Sequence, residues 1–242
     1  MTESDREIAV HPGADDVAAA LAARLTSRLA EIQRDGRVPQ VALTGGRIAT
    51  RAYQQLAAEG TGSAVDWSRV ELWWGDERFV PRDSDDRNDK STLELLTGAL
   101  PLDTARIHAM PASGEGLDLD AAASAYATEL GRLRFDVCLL GVGPDGHVAS
   151  LFPDHPSVTA PGRVIAVRES PKPPPERISL TLEAINASDE VWFVVSGSDK
   201  AAAAAWALTG SRPVPAAAAS GVDRSLWLLD AEAAAELPPD VV

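Results

Sequence analysis

An acidic and a basic side chain stand two positions apart in a glycine-rich segment near the middle of the chain. Asp145 and His147 follow the apolar run 137–140, and Gly143 and Gly146 lie beside them. An imidazole can take up and return a proton near neutral pH, and the carboxylate could orient the ring or hold a substrate hydroxyl. Glycines let the backbone turn sharply and approach a ligand closely. The segment is a candidate acid–base loop, with an ordinary strand-to-helix turn and a surface histidine as the alternative.

A second group of polar residues follows the apolar segment 38–43 and consists of Thr44, Gly45, Gly46 and Arg47. Free backbone N–H groups at the start of a helix, together with the positive end of the helix dipole, favour a bound anion. Two glycines alone are equally compatible with a plain turn. The group is therefore a candidate anion-binding loop.

A third group lies in the segment 74–81, which has the sequence Trp-Gly-Asp-Glu-Arg-Phe-Val-Pro. Asp76 and Arg78 come at the end of an aromatic strand, and Asn88 follows a short distance later. A guanidinium presents a planar pair of donors that suits a phosphate or a carboxylate. These residues are candidate substrate ligands, and a solvated surface turn is the alternative.

Two cations complete the set. Arg177 precedes the apolar segment 178–182, and Lys200 follows the segment 191–195. Either cation alone is more often a surface charge than a ligand. Their position near predicted strand ends of an acidic chain favours a role in binding an anionic substrate.

These residues need a scaffold that brings distant loops together. Apolar segments predict strands at 38–43, 70–74, 135–141, 164–167, 178–182, 191–195 and 226–229. Periodicity and capping signals predict helices from 15 or 16 to 34 and at 48–58, 119–133 and 198–208, with another beginning at a capping box in 91–94. The first helix has an apolar stripe of Val17, Leu21, Leu25, Leu29 and Ile32, with Asp15 or Asp16 as its cap. The proline-rich segment 171–175 is expected to be a stiff surface loop.

Strands that alternate with helices in this way predict an α/β fold with a doubly wound, mostly parallel sheet and helices on both faces. We expect a single domain over residues 1–242. Open sheets of this kind bind ligands at the carboxyl ends of their strands, which is where the candidate residues lie.

Composition excludes several classes of function. The net charge of −14 argues against a nucleic-acid surface, where a basic stripe is expected. No stretch approaches the length of a membrane span, and the charged residues 1–7 lack the apolar region of a secretory signal. We therefore expect a cytoplasmic protein that binds neither nucleic acid nor membrane.

The chain also lacks the motifs of common cofactor sites. His147 and His155 are eight positions apart, there is no paired cysteine motif, and the single Cys138 lies in an apolar strand, so no metal is expected. Neither a phosphate-binding loop of the P-loop type nor a Gly-x-Gly-x-x-Gly motif after a first strand is present.

Five segments in order carry a family resemblance: 44–46, 74–81, 140–153, 177–181 and 200–201. Together they resemble the 6-phosphogluconolactonase family, over residues 38–208. The resemblance implies the Rossmann-like fold shared with glucosamine-6-phosphate deaminases and ribose-5-phosphate isomerases. It also implies hydrolysis of 6-phosphoglucono-δ-lactone to 6-phosphogluconate in the oxidative pentose phosphate pathway, without a cofactor or metal. The expected partner is the phosphorylated sugar lactone, and the expected state is a monomer or small homo-oligomer.

The implied mechanism centres on His147 as a general base that takes a proton from the attacking water and returns it to the ring oxygen. Asp145 is the second candidate catalytic residue, and backbone N–H groups of 143–146 are expected to stabilise the oxyanion. The candidate substrate-binding residues are Thr44, Gly45, Gly46, Arg47, Asp76, Arg78, Asn88, Gly143, Arg177 and Lys200.

This chain departs from the family pattern at Arg47, where the family usually has a small hydroxyl residue, and at Arg87, where it often has serine. Two alternatives to a lactonase remain. A deaminase or isomerase of the same fold typically continues Asp-Gly-His into Asn-Glu-Pro, whereas Val148 and Ala149 follow His147 here. A non-catalytic sugar-phosphate sensor usually carries an attached DNA-binding or partner domain, for which this chain has no basic segment.

Overall fold

A six-stranded sheet and a three-stranded sheet form the β structure of this computed structural model, which describes residues 5–59, 62 and 64–241. The strands of the larger sheet are β1 (Asp5–His11), β2 (Gln40–Leu43), β3 (Glu71–Trp74), β5 (Val137–Gly141), β8 (Glu190–Val195) and β9 (Arg224–Asp230). Their order is β1-β9-β8-β5-β2-β3, and every pair of neighbours is parallel. The predicted α/β fold with a doubly wound parallel sheet flanked by helices is confirmed.

Helices connect the strands. They are α1 (Ala14–Arg34), α2 (Arg47–Glu59), α3 (Asn88–Leu96), α4 (Leu119–Leu130), α5 (Leu182–Asn186), α6 (Ala201–Thr209) and α7 (Pro215–Ala218). Short 3-10 turns cover Trp67–Arg69, Thr104–Arg106, Pro156–Thr159 and Ser198–Lys200. The predicted helix 198–208 therefore begins as a 3-10 turn and becomes α-helical at Ala201. Within the part of the chain that the structure describes, no helix has the length and apolar character needed to cross a membrane.

Helix α1 shows how the sequence pattern determines the packing. All the apolar positions predicted for its stripe are buried: Val17, Leu21, Leu25, Leu29 and Ile32. Burying each large side chain of this kind contributes about 1.5–3 kcal/mol. The predicted cap is wrong, because Gly13 occupies the N-cap position without a side-chain bond. Asp15 and Asp16 lie in the first turn, where their charge faces the positive end of the helix.

The larger sheet reverses its direction of winding at β2. The chain passes from β2 to β3 on one side, and β5 then pairs with β2 on the other side. The carboxyl ends of β2 and β5 are therefore adjacent at a topological switch point, where sheets of this class bind ligands. Strand β5 is buried from Val137 to Leu140, as its apolar run predicts. Burial raises the pKa of its free thiol, Cys138, to about 12, which keeps this cysteine an unreactive core residue.

The smaller sheet was not expected as a separate unit. Its strands are β4 (Asp76–Arg78), β6 (Val164–Val167) and β7 (Arg177–Leu180), in the antiparallel order β4-β7-β6. The segments 164–167 and 178–182 were expected in the parallel sheet, and the segment after Gly75 was expected to be a loop. Gly75 alone separates β3 from β4, so the chain passes directly from one sheet to the other.

Two further elements differ from the sequence prediction. Helix α3 begins at Asn88, three residues before the predicted capping box at 91–94, because Glu77 accepts hydrogen bonds from the first N–H groups of the helix. The edge strand β1 was missed because it is half-exposed and rich in charged residues, which weakens the apolar signal.

Candidate active site

A cavity of about 460 Å³ lies at the carboxyl ends of the parallel strands. Its walls include eleven of the twelve predicted site residues: Thr44, Gly45, Gly46, Arg47, Asp76, Arg78, Asn88, Gly143, His147, Arg177 and Lys200. The twelfth, Asp145, lies behind the wall and contacts His147. The structure therefore brings together residues from five separate stretches of the chain.

The acid–base loop is shaped by its glycines. A Cβ atom on Gly143 would lie 1.9 Å from Cε1 of His147, so the imidazole occupies the space that any side chain at this position would need. Gly146 has a φ of 83° and packs against Val214, whose Cβ atom would be 2.6 Å from an added Cβ. Ala149 also adopts a positive φ, 48°, which is uncommon for a residue with a side chain. The loop therefore holds a specific conformation that only small residues permit.

His147 is oriented by a carboxylate and an aromatic ring. Nδ1 lies within hydrogen-bonding distance of Oδ1 of Asp145, and the ring packs on Phe152 with centroids 4.8 Å apart. A carboxylate can only accept, so Nδ1 carries the hydrogen and Nε2 keeps its lone pair. Within the described residues Nε2 has no protein partner, and the ring lines the cavity. The arrangement presents an unprotonated nitrogen to a ligand.

The charge of Asp145 is maintained by its neighbours. Its partial burial acts to raise the pKa, but the hydrogen bond and charge of His147, together with the charge of Lys172, outweigh this effect. The pKa of Asp145 is therefore lowered below its usual range. Asp145 is therefore an ionised acceptor for the N–H group of the imidazole.

Lys172 is a cavity residue that the sequence did not predict. It belongs to the proline-rich segment 171–175, and its Nζ lies 3.4 Å from Nδ1 of His147. Burial lowers the pKa of Lys172, and the positive charges of Lys200 and Arg177 lower it further against the opposing charge of Asp145. In the sequence, Lys172 is a single cation between two prolines. Such a segment has no periodic pattern that would distinguish a cavity residue from a residue of a surface loop.

Two of the three N–H groups expected to stabilise the oxyanion are used within the loop itself. The N–H of Gly143 donates to the carbonyl of His147 over 2.9 Å, and the N–H of Gly146 donates to the carbonyl of Gly143 over 2.9 Å. Both groups maintain the tight turn instead of facing a ligand. Lys172, beside the imidazole, offers a positive charge in their place.

The loop after β2 is held by its threonine. Thr44 accepts a hydrogen bond from the N–H of Gly141 at its Oγ1, which ties the ends of β2 and β5 together. Gly46 has a φ of 101°, a conformation that glycine adopts most easily. Arg47 is the exposed first residue of α2 and lines the cavity together with Arg51, one turn later. Arg51, which the sequence did not predict, forms an ion pair with Asp15 of α1.

Asp76 and Asn88 form one side of the cavity. Oδ2 of Asp76 accepts a hydrogen bond of 2.7 Å from Ser150, and Nδ2 of Asn88 donates to the carbonyl oxygen of Asp76 over 3.1 Å. A Cβ atom on Gly45 would lie 2.0 Å from Oδ1 of Asn88, so the two loops touch directly. The side chains of Asp76 and Asn88 are both largely buried.

Only some of the N–H groups of Arg78 have hydrogen-bond partners among the described residues. Its Nη1 donates to the carbonyl of Asp86, while its Nε is buried without a hydrogen-bond partner among the described residues. The residue lines the cavity, where a guanidinium can bind an anionic or polar ligand.

Arg177 lines the cavity, as predicted, and also supports a neighbouring loop. Its Nε donates to the carbonyl of Pro174 over 3.2 Å, and its Nη2 donates to the carbonyls of Lys172 and Pro173 over 3.1 Å each. Its Nη1 lies 3.9 Å from Oδ2 of Asp76. The side chain lines the cavity, but most of its donors hold the segment that carries Lys172.

Lys200 forms an ion pair of 2.8 Å with its neighbour Asp199. The hydrogen bond to Lys200, followed by the charges of Lys200 and Arg47, lowers the pKa of Asp199 against its desolvation. Arg47 and Lys200 therefore face the same carboxylate from separate loops. Among the described residues, no group of three or more His, Cys, Asp or Glu side chains is arranged to hold a metal ion.

Comparison with known proteins identifies the family. The family model described as "Glucosamine-6-phosphate isomerases/6-phosphogluconolactonase" matches residues 12–227. The chain belongs to this family. It is 48% identical over 247 residues to the 6-phosphogluconolactonase of Streptomyces coelicolor, covering 96% of this chain and 95% of that protein. It is 44% identical over 244 residues to the 6-phosphogluconolactonase of Mycobacterium tuberculosis, covering 96% and 98%.

A solved structure of the family has the same architecture. The crystal structure of 6-phosphogluconolactonase from Thermotoga maritima is similar with a TM-score of 0.84 at 27% identity, covering 93% of this chain and 100% of that one. The family resemblance expected from the sequence is confirmed. The roles of the individual cavity residues follow from the geometry above and are proposals.

Proposed function

We propose that this protein hydrolyses 6-phosphoglucono-δ-lactone to 6-phosphogluconate, a step of the oxidative pentose phosphate pathway. The relatives that match nearly the whole chain at 44–48% identity are named for this activity. The observation that carries the proposal is the pairing of His147 with Asp145 in the wall of a cavity lined by cations. This arrangement suits an uncharged ester group attached to a phosphate.

In the proposed reaction His147 acts as a general base at Nε2. It takes a proton from a water molecule as the water oxygen attacks the lactone carbonyl carbon, C1. The tetrahedral intermediate then collapses, the bond from C1 to the ring oxygen breaks, and the imidazolium returns its proton to that oxygen. Acid–base assistance of this kind contributes about 10²–10⁴-fold to a rate. Asp145 holds the ring and stabilises the imidazolium formed between the two transfers.

The polar residues around this centre divide into three groups. Lys172 lies beside the imidazole, where its charge would stabilise the oxygen of the tetrahedral intermediate. Arg47 and Lys200 lie at the loops after β2 and β8, near the start of α2, and would bind the phosphate together with the N–H groups of the glycine loop. Arg78 and Asn88 would contact oxygens of the sugar.

A deaminase or isomerase of the same family is the alternative activity. Such relatives typically carry a glutamate two positions after the histidine, and the residue at this position here is Ala149, which lines the cavity with a methyl group. No carboxylate therefore stands at this point beside His147. This favours attack by water on an ester over amine chemistry.

The test is a coupled assay on freshly generated 6-phosphogluconolactone, corrected for its spontaneous hydrolysis. We expect a rate well above the uncatalysed blank, with no release of ammonia from glucosamine 6-phosphate in a parallel assay. A rate equal to the blank would contradict the proposal, and it would favour a sensor if 6-phosphogluconate still bound. A cytoplasmic location, a single domain over 1–242 and a monomeric or small homo-oligomeric state stay predictions, which fractionation, limited proteolysis and gel filtration would check.

A further inference from the structure

Glu77 is a buried carboxylate that the proposed mechanism does not use. It lies in β4 between Asp76 and Arg78, is 0% exposed and does not line the cavity. Its Oε1 accepts hydrogen bonds of 2.8 Å from the backbone N–H groups of both Arg78 and Asn88. Its Oε2 accepts a third bond of 2.8 Å from the N–H of Asp89. One side chain therefore binds two separate stretches of backbone.

The surroundings of Glu77 are charged and fully enclosed. The guanidinium of Arg87 lies 3.8 Å away with 0% of its side chain exposed, and it forms paired hydrogen bonds of 2.8 and 2.6 Å with Asp89. Arg82 contacts Asp89 from the outer side. Burying such groups is costly, and apolar residues of similar volume could often fill the space at no loss of stability. The retention of this cluster therefore calls for a reason besides stability.

The positions of Arg78 and Asn88, whose backbone N–H groups are bound by Oε1, suggest a reason for keeping the buried carboxylate. Arg78 and Asn88 both line the cavity, and both are placed by the same carboxylate oxygen. Asn88 has little freedom, because it also bonds the carbonyl of Asp76 and packs against Gly45. A shift at the start of α3 would move Asn88 against the anion-binding loop and away from Arg78.

We propose that Glu77 is a positioning residue, whose buried carboxylate sets the distance between Arg78 and Asn88 so that both contact the sugar oxygens of the substrate. This inference rests on the proposed function, since it takes the phosphorylated lactone as the ligand of the cavity. Glu77 acts through these two residues and does not touch the substrate itself.

The charge state of Glu77 gives a second readout. Burial, followed by the negative charge of Asp89, raises the pKa of Glu77 to about 7 against the opposing effects of Arg87 and the backbone N–H groups. Tyr126 and Arg177 are the other titratable groups that sense its charge. A carboxyl oxygen of Glu77 that carries a proton cannot accept a hydrogen bond at the position of that proton. The hydrogen bonds from the backbone N–H groups to Glu77 therefore weaken as the pH falls through about 7.

The test compares Glu77→Gln with a matched control, Asp136→Asn. Asp136 is also a buried carboxylate, 1% exposed, that accepts from a backbone N–H and an arginine, but it precedes β5 at the opposite end of the sheet. For E77Q we expect KM for the lactone and Kd for 6-phosphogluconate to rise about tenfold or more, with kcat changed far less. D136N should leave both constants unchanged. A variant that is merely unstable loses active protein, which lowers the apparent kcat without raising KM.

The pH dependence of KM provides a second comparison of E77Q with the wild type. The ratio of KM for E77Q to KM for the wild type should be largest at pH 8 and fall towards one below pH 6, since the wild-type carboxylate is then protonated. Taking the ratio cancels the titration of the substrate phosphate. If E77Q does not fold, Glu77→Asp keeps the charge on a shorter side chain and should raise KM by a smaller factor.

Three results would overturn the inference. The first is an unchanged KM and Kd in folded E77Q or E77D, and the second is an equal effect of D136N. The third is strict additivity of E77Q with Asn88→Ala, because a residue that acts partly through Asn88 should have a smaller further effect once that amide is removed. A wild-type protein without lactonase activity would refute the proposed function, and Kd for 6-phosphogluconate alone would then decide the role of Glu77. Absence of both activity and binding would overturn both proposals.

Discussion

At the scale of single residues, the proposed proton transfer belongs to His147, and Asp145 orients its ring. The carboxylate stays ionised because the hydrogen bond from His147, followed by the charges of His147 and Lys172, lowers its pKa. The imidazole keeps one orientation because Asp145 binds Nδ1 and Phe152 packs against the ring. Gly143 leaves the space that the ring occupies. The chemistry therefore depends on one nitrogen whose lone pair is directed by three neighbours.

Replacing that nitrogen tests the role of His147. For His147→Asn we expect kcat to fall by about 10²–10⁴-fold with little change in KM, because general-base assistance is lost while the phosphate contacts remain. Steady-state kinetics on the lactone, with thermal unfolding as a check of folding, provide the measurement. His155→Asn is a suitable control, since His155 bonds Ser157 and the carbonyl of Arg168 and does not line the cavity. Near-normal turnover in folded H147N would refute the assignment.

At the scale of elements, the proline-rich segment 171–175 has a function that its sequence did not indicate. The sequence predicted a stiff surface loop, and the structure shows a loop whose Lys172 reaches the cavity. Three carbonyl groups of this segment accept hydrogen bonds from Arg177 of β7. The arginine thus belongs to the support of the loop as much as to the cavity wall.

Arg177→Lys separates these two roles. Lysine cannot reproduce the planar set of donors, so we expect the loop to loosen, Lys172 to move and kcat/KM to fall about tenfold, mainly through kcat. If Arg177 acts mainly through Lys172, the double variant R177K/K172M should be little worse than K172M alone. Additive effects on kcat/KM would instead show that Arg177 binds the substrate directly. Arg168→Lys, at an exposed pair with Asp120 outside the cavity, is the matched control and should leave kcat/KM unchanged.

At the scale of the whole molecule, the cavity is formed by loops from both sheets. Gly45 and His147 follow strands of the parallel sheet, whereas Arg78 and Arg177 belong to the antiparallel one. A ligand that contacts both groups binds only when the two sheets are correctly placed. Ligand binding should therefore stabilise the folded chain as a unit.

This stabilisation can be measured with the product. At 6-phosphogluconate concentrations of 100 times Kd, the free energy of unfolding should rise by about 2.7 kcal/mol. Gluconate at the same concentration should give a much smaller rise, because it lacks the phosphate that Arg47 and Lys200 are proposed to bind. Chemical denaturation with and without each ligand provides the comparison. Equal stabilisation by the two compounds would contradict the proposed phosphate site.

The sequence was most informative where the chemistry and the local pattern coincide. The loop of Asp145 and His147, the glycine loop after β2 and the stripe of α1 all follow from short-range spacing, and the structure places each as the spacing predicts. Lys172 and Glu77 were missed because their positions depend on contacts between segments far apart in the chain. The start of α3 illustrates the limit, since its cap is supplied by a side chain eleven positions earlier.

The direct passage from β3 to β4 has a consequence for variation in the chain. The single residue between them, Gly75, donates its N–H to the carbonyl of Leu43 and accepts at its own carbonyl from Leu180, so one residue is bonded towards both sheets. The backbone at Gly75 therefore cannot accommodate an additional residue without breaking one of these hydrogen bonds. An inserted residue would reverse which of Asp76 and Glu77 faces the cavity, since neighbouring side chains of a strand point to opposite sides. Length differences among related chains should therefore be absent at 75 and be accommodated instead in the largely exposed stretch 83–85.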